Sequence, residues 1–185
     1  MTQFTTHTLE SAPAAARPLL EAAKSKLGFI PNLYGNLAEA PAVLQAYFDL
    51  SAQFDKTSFT PVERQVVLLA ISTENNCEFC VAAHSVIARQ MAKAPNAVVD
   101  ALRASTPLPD ARLEALAVFT RTVVRDRGFV SPTALDAFLK AGFTRRQVIE
   151  VVLGVSMKTL SNYVNHLTGT KTNSEFAAEA WKRAA

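Results

Sequence analysis

Thr60-Pro61-Val62-Glu63-Arg64-Gln65-Val66-Val67-Leu68-Leu69-Ala70-Ile71-Ser72-Thr73-Glu74 begins with a helix start and continues as a helix body. Thr60 and Glu63 have capping-box spacing, so the hydroxyl and the carboxylate can each accept one of the N–H groups left free at a helix start. Pro61 falls at the first helical position, where a missing N–H costs nothing. Asn75-Asn76 then interrupts the helix, and a new one is expected to carry Cys77 to about Met91. Upstream, Ser11 precedes an amphipathic stretch ending at Gly28, Gly28-Phe29-Ile30-Pro31-Asn32 is a break, and Pro41 opens a helix to about Phe54. Downstream, a short helical segment follows Pro95 and a loop runs through Thr106-Pro107-Leu108-Pro109. Asp110 caps a long helix whose Leu113, Leu116, Ala117, Val123 and Val124 follow the 3.6 period. Ser131-Pro132 starts another, stopped at Gly142, and Thr144 with Gln147 forms a second capping box before Val148–Val155 and Lys158–Leu167. The tail after Asn173 is weakly helical and is expected to pack on a neighbour. Apart from short apolar runs such as Val66–Ile71, no segment has the period of two that a strand requires. The chain reads as all-α.

The 185 residues suffice for one domain with a buried core, and 49% hydrophobic with 19% charged residues is a globular composition. The net charge of +3 comes from scattered basic residues, which describes a mixed solvated surface. Residues 1–20 lack a basic start followed by a continuous apolar stretch, and Val66–Ile71 is far too short to span a bilayer. A cytoplasmic location without membrane attachment is therefore expected. Phe59-Thr60 to Ser72 also aligns with Phe143-Thr144 to Ser156 at a constant offset. That echo fits a duplication and a chance likeness of two capped helices equally well.

The chemistry lies in Cys77-Glu78-Phe79-Cys80-Val81-Ala82-Ala83-His84, which holds both cysteines of the chain. Thiols three residues apart can close into a local disulfide and reopen, and His84, four residues after Cys80, lies on the same helical face. In a reducing compartment such a pair is catalytic or metal-binding more often than structural. The break at Asn75-Asn76 places Cys77 in the first turn of a helix, where free N–H groups favour a thiolate. His84 is positioned to take a proton from Cys80, and Glu74 to orient or charge the imidazole. Two buried structural thiols and a packed core histidine are the plain alternatives.

The segments Phe59–Arg64, Leu68–Ser72 and Cys77–His84 closely resemble the carboxymuconolactone decarboxylase superfamily in its alkylhydroperoxidase D-like branch. The likeness extends to Gly28–Asn32 and to Asn162-Tyr163-Val164-Asn165-His166, covering most of residues 27–170. It implies an all-α single-domain helical bundle over residues 1–185, with an N-terminal helical extension over 1–26, a core over 27–170 and a tail over 171–185. It also implies a homo-oligomer, trimeric or hexameric, that reduces hydroperoxides without a cofactor or metal. In this scheme Cys80 attacks the peroxide, Cys77 resolves the sulfenic acid to a Cys77–Cys80 disulfide, and an external thiol or dithiol reduces the pair. Helix position alone would make Cys77 the more acidic thiol. The peroxidase branch usually has a glutamate twelve residues before the first cysteine, and Gln65 stands there, with Glu63 two residues away. Gln65 and Glu74 lie nine residues apart, roughly 180° around a straight helix, so Glu74 could serve only from the helix end. The decarboxylase that names the superfamily lacks the CxxC pair and is a poorer match.

Other classes fit less of the chain. Gly154 to Tyr163 superficially resembles a turn and DNA-recognition helix but carries little charge beyond Lys158. Cys77, Cys80 and His84, completed by His166, form only half a zinc signature. A thiol–disulfide oxidoreductase without strong peroxidase activity is the main alternative, and an oligomeric scaffold leaves the cysteines unexplained. His166 fits packing or an oligomer contact better than the site, and His7 receives no role.

Overall fold

In the computed structural model, which describes residues 4–182, all regular structure is helical. Nine α-helices follow one another among those residues: α1 (Arg17–Leu27), α2 (Asn32–Leu37), α3 (Pro41–Phe54), α4 (Pro61–Glu74), α5 (Glu78–Val86), α6 (Asn96–Ala104), α7 (Ala111–Arg125), α8 (Pro132–Lys140) and α9 (Arg145–Thr168). The all-α expectation holds.

α4 is the central helix because it is apolar on nearly every side. Val66 through Thr73 are all buried, and α5, α7 and α9 pack around it. Both capping boxes form, at Thr60 with Glu63 and at Thr144 with Gln147. Phe59 and Phe143, which precede them, meet edge to face with ring centroids 6.3 Å apart. The second Glu63 oxygen accepts a hydrogen bond from Arg112, whose guanidinium lies 4.0 Å over the Phe143 ring. α9 crosses close to α3 and α4 at Gly154, where an added Cβ would lie 2.9 Å from both Phe54 Cε2 and Val67 Cγ1.

Four local expectations change. The stretch after Ser11 is a turn, and α1 begins only at Arg17 after a single 3₁₀ turn over Ala14–Ala16. α2 appears where only a break was expected, because Leu33 and Leu37 bury against the core and Asn36 donates to the Thr168 and Thr170 hydroxyls. The two segments 148–155 and 158–167 are one continuous helix, since nothing between them breaks the hydrogen-bond ladder. The tail packs on its own chain: a 3₁₀ turn over Ser174–Glu179 sets Phe176 against Phe29 and Phe79 at 5.6 and 5.8 Å. His7 is also anchored, with Nε2 2.8 Å from the Glu39 carboxylate.

The α4–α5 junction positions the chemistry. Asn76 takes a left-handed conformation (φ 56°), which asparagine tolerates better than most residues. Cys77 N–H then donates to the Ser72 carbonyl at 2.9 Å, turning the chain sharply into α5. Cys77 is the N-cap residue of α5 and Cys80 lies within its first turn.

Candidate functional site

Cys77 and Cys80 are free thiols buried between α5 and α9. The inner face of α9 supplies Lys158, Ser161, Asn162 and Asn165, all of them buried. Asn165 Nδ2 donates to both sulfurs, at 3.5 Å to Cys77 and 3.3 Å to Cys80. Ser161 Oγ lies 4.0 Å from the Cys80 sulfur, and the Lys158 charge acts on that sulfur. Lys158 is completely buried and forms no ion pair with a carboxylate among the described residues. A buried cation needs a compensating anion nearby, and the sulfur beside it is the group that can become one.

The two thiols are driven apart in acidity. Burial pushes Cys80 up, but the Cys77 thiol beside it and the Lys158 charge together hold it well below the usual thiol range. Cys77 moves the opposite way, raised first by its hydrogen bond to Cys80 and then by burial. These surroundings favour Cys80 as the thiolate and Cys77 as the thiol that keeps its proton. The helix-start argument, which favoured Cys77, is outweighed because Cys77 caps α5 at its very edge while Lys158 reaches Cys80.

His84 bridges Lys158 to Gln65. Its Nδ1 lies 3.0 Å from Gln65 Oε1, which can only accept, so Nδ1 carries the proton. Its Nε2 then accepts from Lys158 Nζ at 3.1 Å. Burial first and the Lys158 charge second hold the imidazole well below its usual range, which keeps it neutral at pH 7.

The structure does not bring Glu74 to this site. Its carboxylate faces away at the end of α4, where Arg125 Nε of α7 lies 3.3 Å from it, and both His84 nitrogens are held by other partners. Glu63 is equally committed, to its capping box and to Arg112. The same contacts weaken the zinc alternative, since His84 has no free nitrogen, and no group of three or more His, Cys, Asp or Glu among the described residues is placed to hold a metal ion. The DNA alternative fails because Lys158 faces inward, in the middle of a helix that has no turn. His166 is exposed, stacks loosely on Tyr163 and lines a cavity that Cys77 also lines.

Residues 39–121 match the carboxymuconolactone decarboxylase family. That span contains Gln65, Cys77, Cys80 and His84 and ends before α9. An uncharacterized peroxidase-related protein with an alkylhydroperoxidase AhpD core from Ralstonia eutropha JMP134 superposes with a TM-score of 0.82 at 26% identity, covering 94% of this chain and 93% of its own. The chain thus carries a carboxymuconolactone decarboxylase-like segment within a fold similar to that of an alkylhydroperoxidase AhpD core. A peroxidase-related protein from Silicibacter sp. TM1040 shares the fold at a TM-score of 0.80 and 20% identity, covering 96% of this chain and 94% of that one. The debrominase Bmp8, solved with 2,3,4-tribromopyrrole, shares it at 0.78 and 16% identity over 97% of this chain and 96% of its own. No curated protein matches the chain. A fold shared by a debrominase and by peroxidase-related proteins leaves the reaction to be argued from the side chains.

Gln65 supplies a direct test of how His84 is held. Gln65→Glu would place a carboxylate where the amide oxygen now accepts from His84 Nδ1. An adjacent anion favours the imidazolium, so the His84 pKa should rise and hydroperoxide turnover should increase by about 10²-fold. Imidazole titration by NMR and peroxide consumption measure the two effects. An unmoved titration would show that Gln65 does not act through His84.

Proposed function

We propose that the protein is a thiol-dependent peroxidase in which Cys80 and Cys77 form a redox couple. The observation that carries this reading is the buried Lys158 beside Cys80, with the neutral His84 behind it and the protonated Cys77 alongside. The Cys80 thiolate attacks the terminal oxygen of a hydroperoxide, the O–O bond breaks, and the alkoxide leaves with a proton from the Lys158–His84 pair. Cys80 becomes a sulfenic acid. The Cys77 sulfur then attacks the Cys80 sulfur, hydroxide leaves with the Cys77 proton as water, and the Cys77–Cys80 disulfide forms. An external thiol restores the pair. The two thiols supply the two electrons that reduce the O–O bond, and the external thiol returns them, so the scheme calls on no cofactor or metal.

Gln65 supports a second reading. Without a carboxylate behind His84 the relay lacks an acid–base group typically worth about 10²–10⁴ in rate, and the couple would then serve general thiol–disulfide exchange. The expected partners are a hydroperoxide, a thiol reductant and further copies of this chain in the cytoplasm. The exposed Ile149, Val152, Tyr163 and Leu167 along the outer side of α9 support self-association, and no described helix is long and apolar enough to cross a membrane.

One experiment separates the readings. The protein is reduced anaerobically, given one equivalent of an organic hydroperoxide, and its free thiols are counted by mass spectrometry. Loss of both thiols as a single Cys77–Cys80 disulfide is the expected result. Unchanged thiols, or one over-oxidised cysteine without a disulfide, would defeat the peroxidase reading.

A further inference from the structure

We infer that the 3₁₀ turn over Ser174–Glu179 is a strap that holds the first turn of α5 against α9, with Phe176 and Glu179 as positioning residues that keep Cys80 beside Lys158 and Asn165. This deepens the redox-couple reading proposed above and rests on its choice of Cys80 as the thiolate.

α5 carries its chemistry on one side and its anchors on the other. Cys80 and His84 meet Asn165 and Lys158 of α9. Phe79 meets the strap instead: its buried ring stands edge-on to Phe176 at 5.8 Å, and Phe29 meets the same Phe176 ring at 5.6 Å. The Glu179 carboxylate lies between two guanidinium groups, 2.8 Å from Arg89 Nε and 3.3 Å from Arg103 Nη1. Arg89 belongs to the π turn Ile87–Met91 that continues α5, and Arg103 to α6. Arg103 also donates to the buried Ser85 Oγ of α5 at 2.9 Å and to the Glu179 and Ala180 carbonyls at 3.0 and 3.1 Å. Trp181 Nε1 closes the far end, donating to the Arg103 carbonyl at 2.9 Å.

A six-residue 3₁₀ turn has no core of its own, so these contacts alone hold it in place. After α4, no element packs on α5 more widely than this turn does. The thiolate depends on where α5 sits. Attraction to the Lys158 charge falls with separation, and the Asn165 hydrogen bond, already 3.3 Å long, tolerates little more. An α5 released on the strap side can move off α9, and Cys80 then loses both partners while staying out of water.

The sign of the effect separates position from charge. Cys77 and His84 on α5, Lys158 on α9, and Tyr34 and Tyr47 on α2 and α3 are the titratable groups coupled to Cys80 or to its lysine. Burial raises both tyrosines, so they stay neutral while the thiol titrates. Glu179→Gln removes a negative charge, which acting directly would favour the thiolate. A loosened strap disfavours it. Phe176→Ala changes no charge and should shift the thiol in the same upward direction.

The test is the thiolate absorbance near 240 nm, followed against pH in the reduced full-length chain, with helicity and melting recorded for each variant. In Glu179→Gln and in Phe176→Ala the Cys80 midpoint should rise by about one pH unit, which is about tenfold less thiolate on the acid limb. Reaction with one equivalent of an organic hydroperoxide should slow on that limb and recover at alkaline pH. Adding Phe79→Ala to Phe176→Ala should shift the midpoint no further than the larger single change, because the two rings act as a pair. If Phe176→Ala does not fold, Phe176→Leu takes its place. Unmoved midpoints in folded variants, or a downward shift in Glu179→Gln, would overturn the inference. A rate lost equally at every pH would reduce the strap to a structural support, and additive shifts would overturn the route through Phe79. The titration uses no peroxide, so a chain that fails to reduce hydroperoxides would remove the peroxidase reading and leave the strap to be decided by its midpoints.

Discussion

Lys158→Met should slow the reaction with hydroperoxide at pH 7 by at least about 10²-fold. Burial alone pushes the Cys80 thiol up, and the Lys158 charge opposes it. A thiol at its free pKa of roughly 8.5 is only a few per cent ionised at neutral pH, and burial would lower that fraction further. The sign of the pH dependence follows. With Cys80 held low, the wild-type rate should be flat across neutral pH and fall only as acidification protonates the thiolate. In the variant the profile should move to alkaline pH, following thiolate absorbance near 240 nm. The fold should tolerate the change, because methionine has a similar length and no carboxylate loses its partner. An unshifted thiolate titration in a folded variant would remove Lys158 from the mechanism.

Local signals predicted the local structure well. The capping boxes at Thr60 and Thr144, the N-caps at Asp110 and Ser131 and the break at Asn75-Asn76 each depend on residues within one turn, and each forms. The short helix α2 has no such signal and exists because tertiary contacts hold it. Glu74 illustrates the opposite error. It is close to Cys77 in sequence, but the left-handed turn at Asn76 separates the two, and Arg125 from a distant helix takes the carboxylate.

The second half of the site comes from α9, where Lys158 and Asn165 lie 74 and 85 residues from the groups they hold. No motif spacing reaches that far. One signal was nevertheless present. Val151, Gly154, Lys158, Ser161 and Asn165 recur at helical spacing on the buried side of α9, so the stripe is apolar at its start and polar beyond. A lysine on the inward stripe of an amphipathic helix is a buried cation, and a buried cation implies a nearby anion. That argument would have linked α9 to the thiols before any coordinates were known.

The two cysteines should fail differently when replaced by serine. Cys80→Ser removes the thiolate, and peroxide consumption should fall to background, a loss larger than any other substitution produces. The remaining Cys77 cannot compensate, because burial still raises its thiol and the Lys158 charge offsets that only in part. Cys77→Ser keeps the attacking sulfur together with Lys158, His84 and Asn165, so one equivalent of peroxide should still be consumed. Turnover should then stop, since no thiol remains to close the disulfide, and the sulfenic acid should be trappable with dimedone. The first oxidation should also slow modestly, because the Cys77 thiol is one of the donors that hold Cys80 low and a serine hydroxyl is shorter. The reverse pattern, with a dimedone adduct on Cys77 in Cys80→Ser and an inert Cys77→Ser, would transfer the attack to Cys77. Helix-start electrostatics would then outweigh the buried lysine, and the order of the two thiols would have to be exchanged.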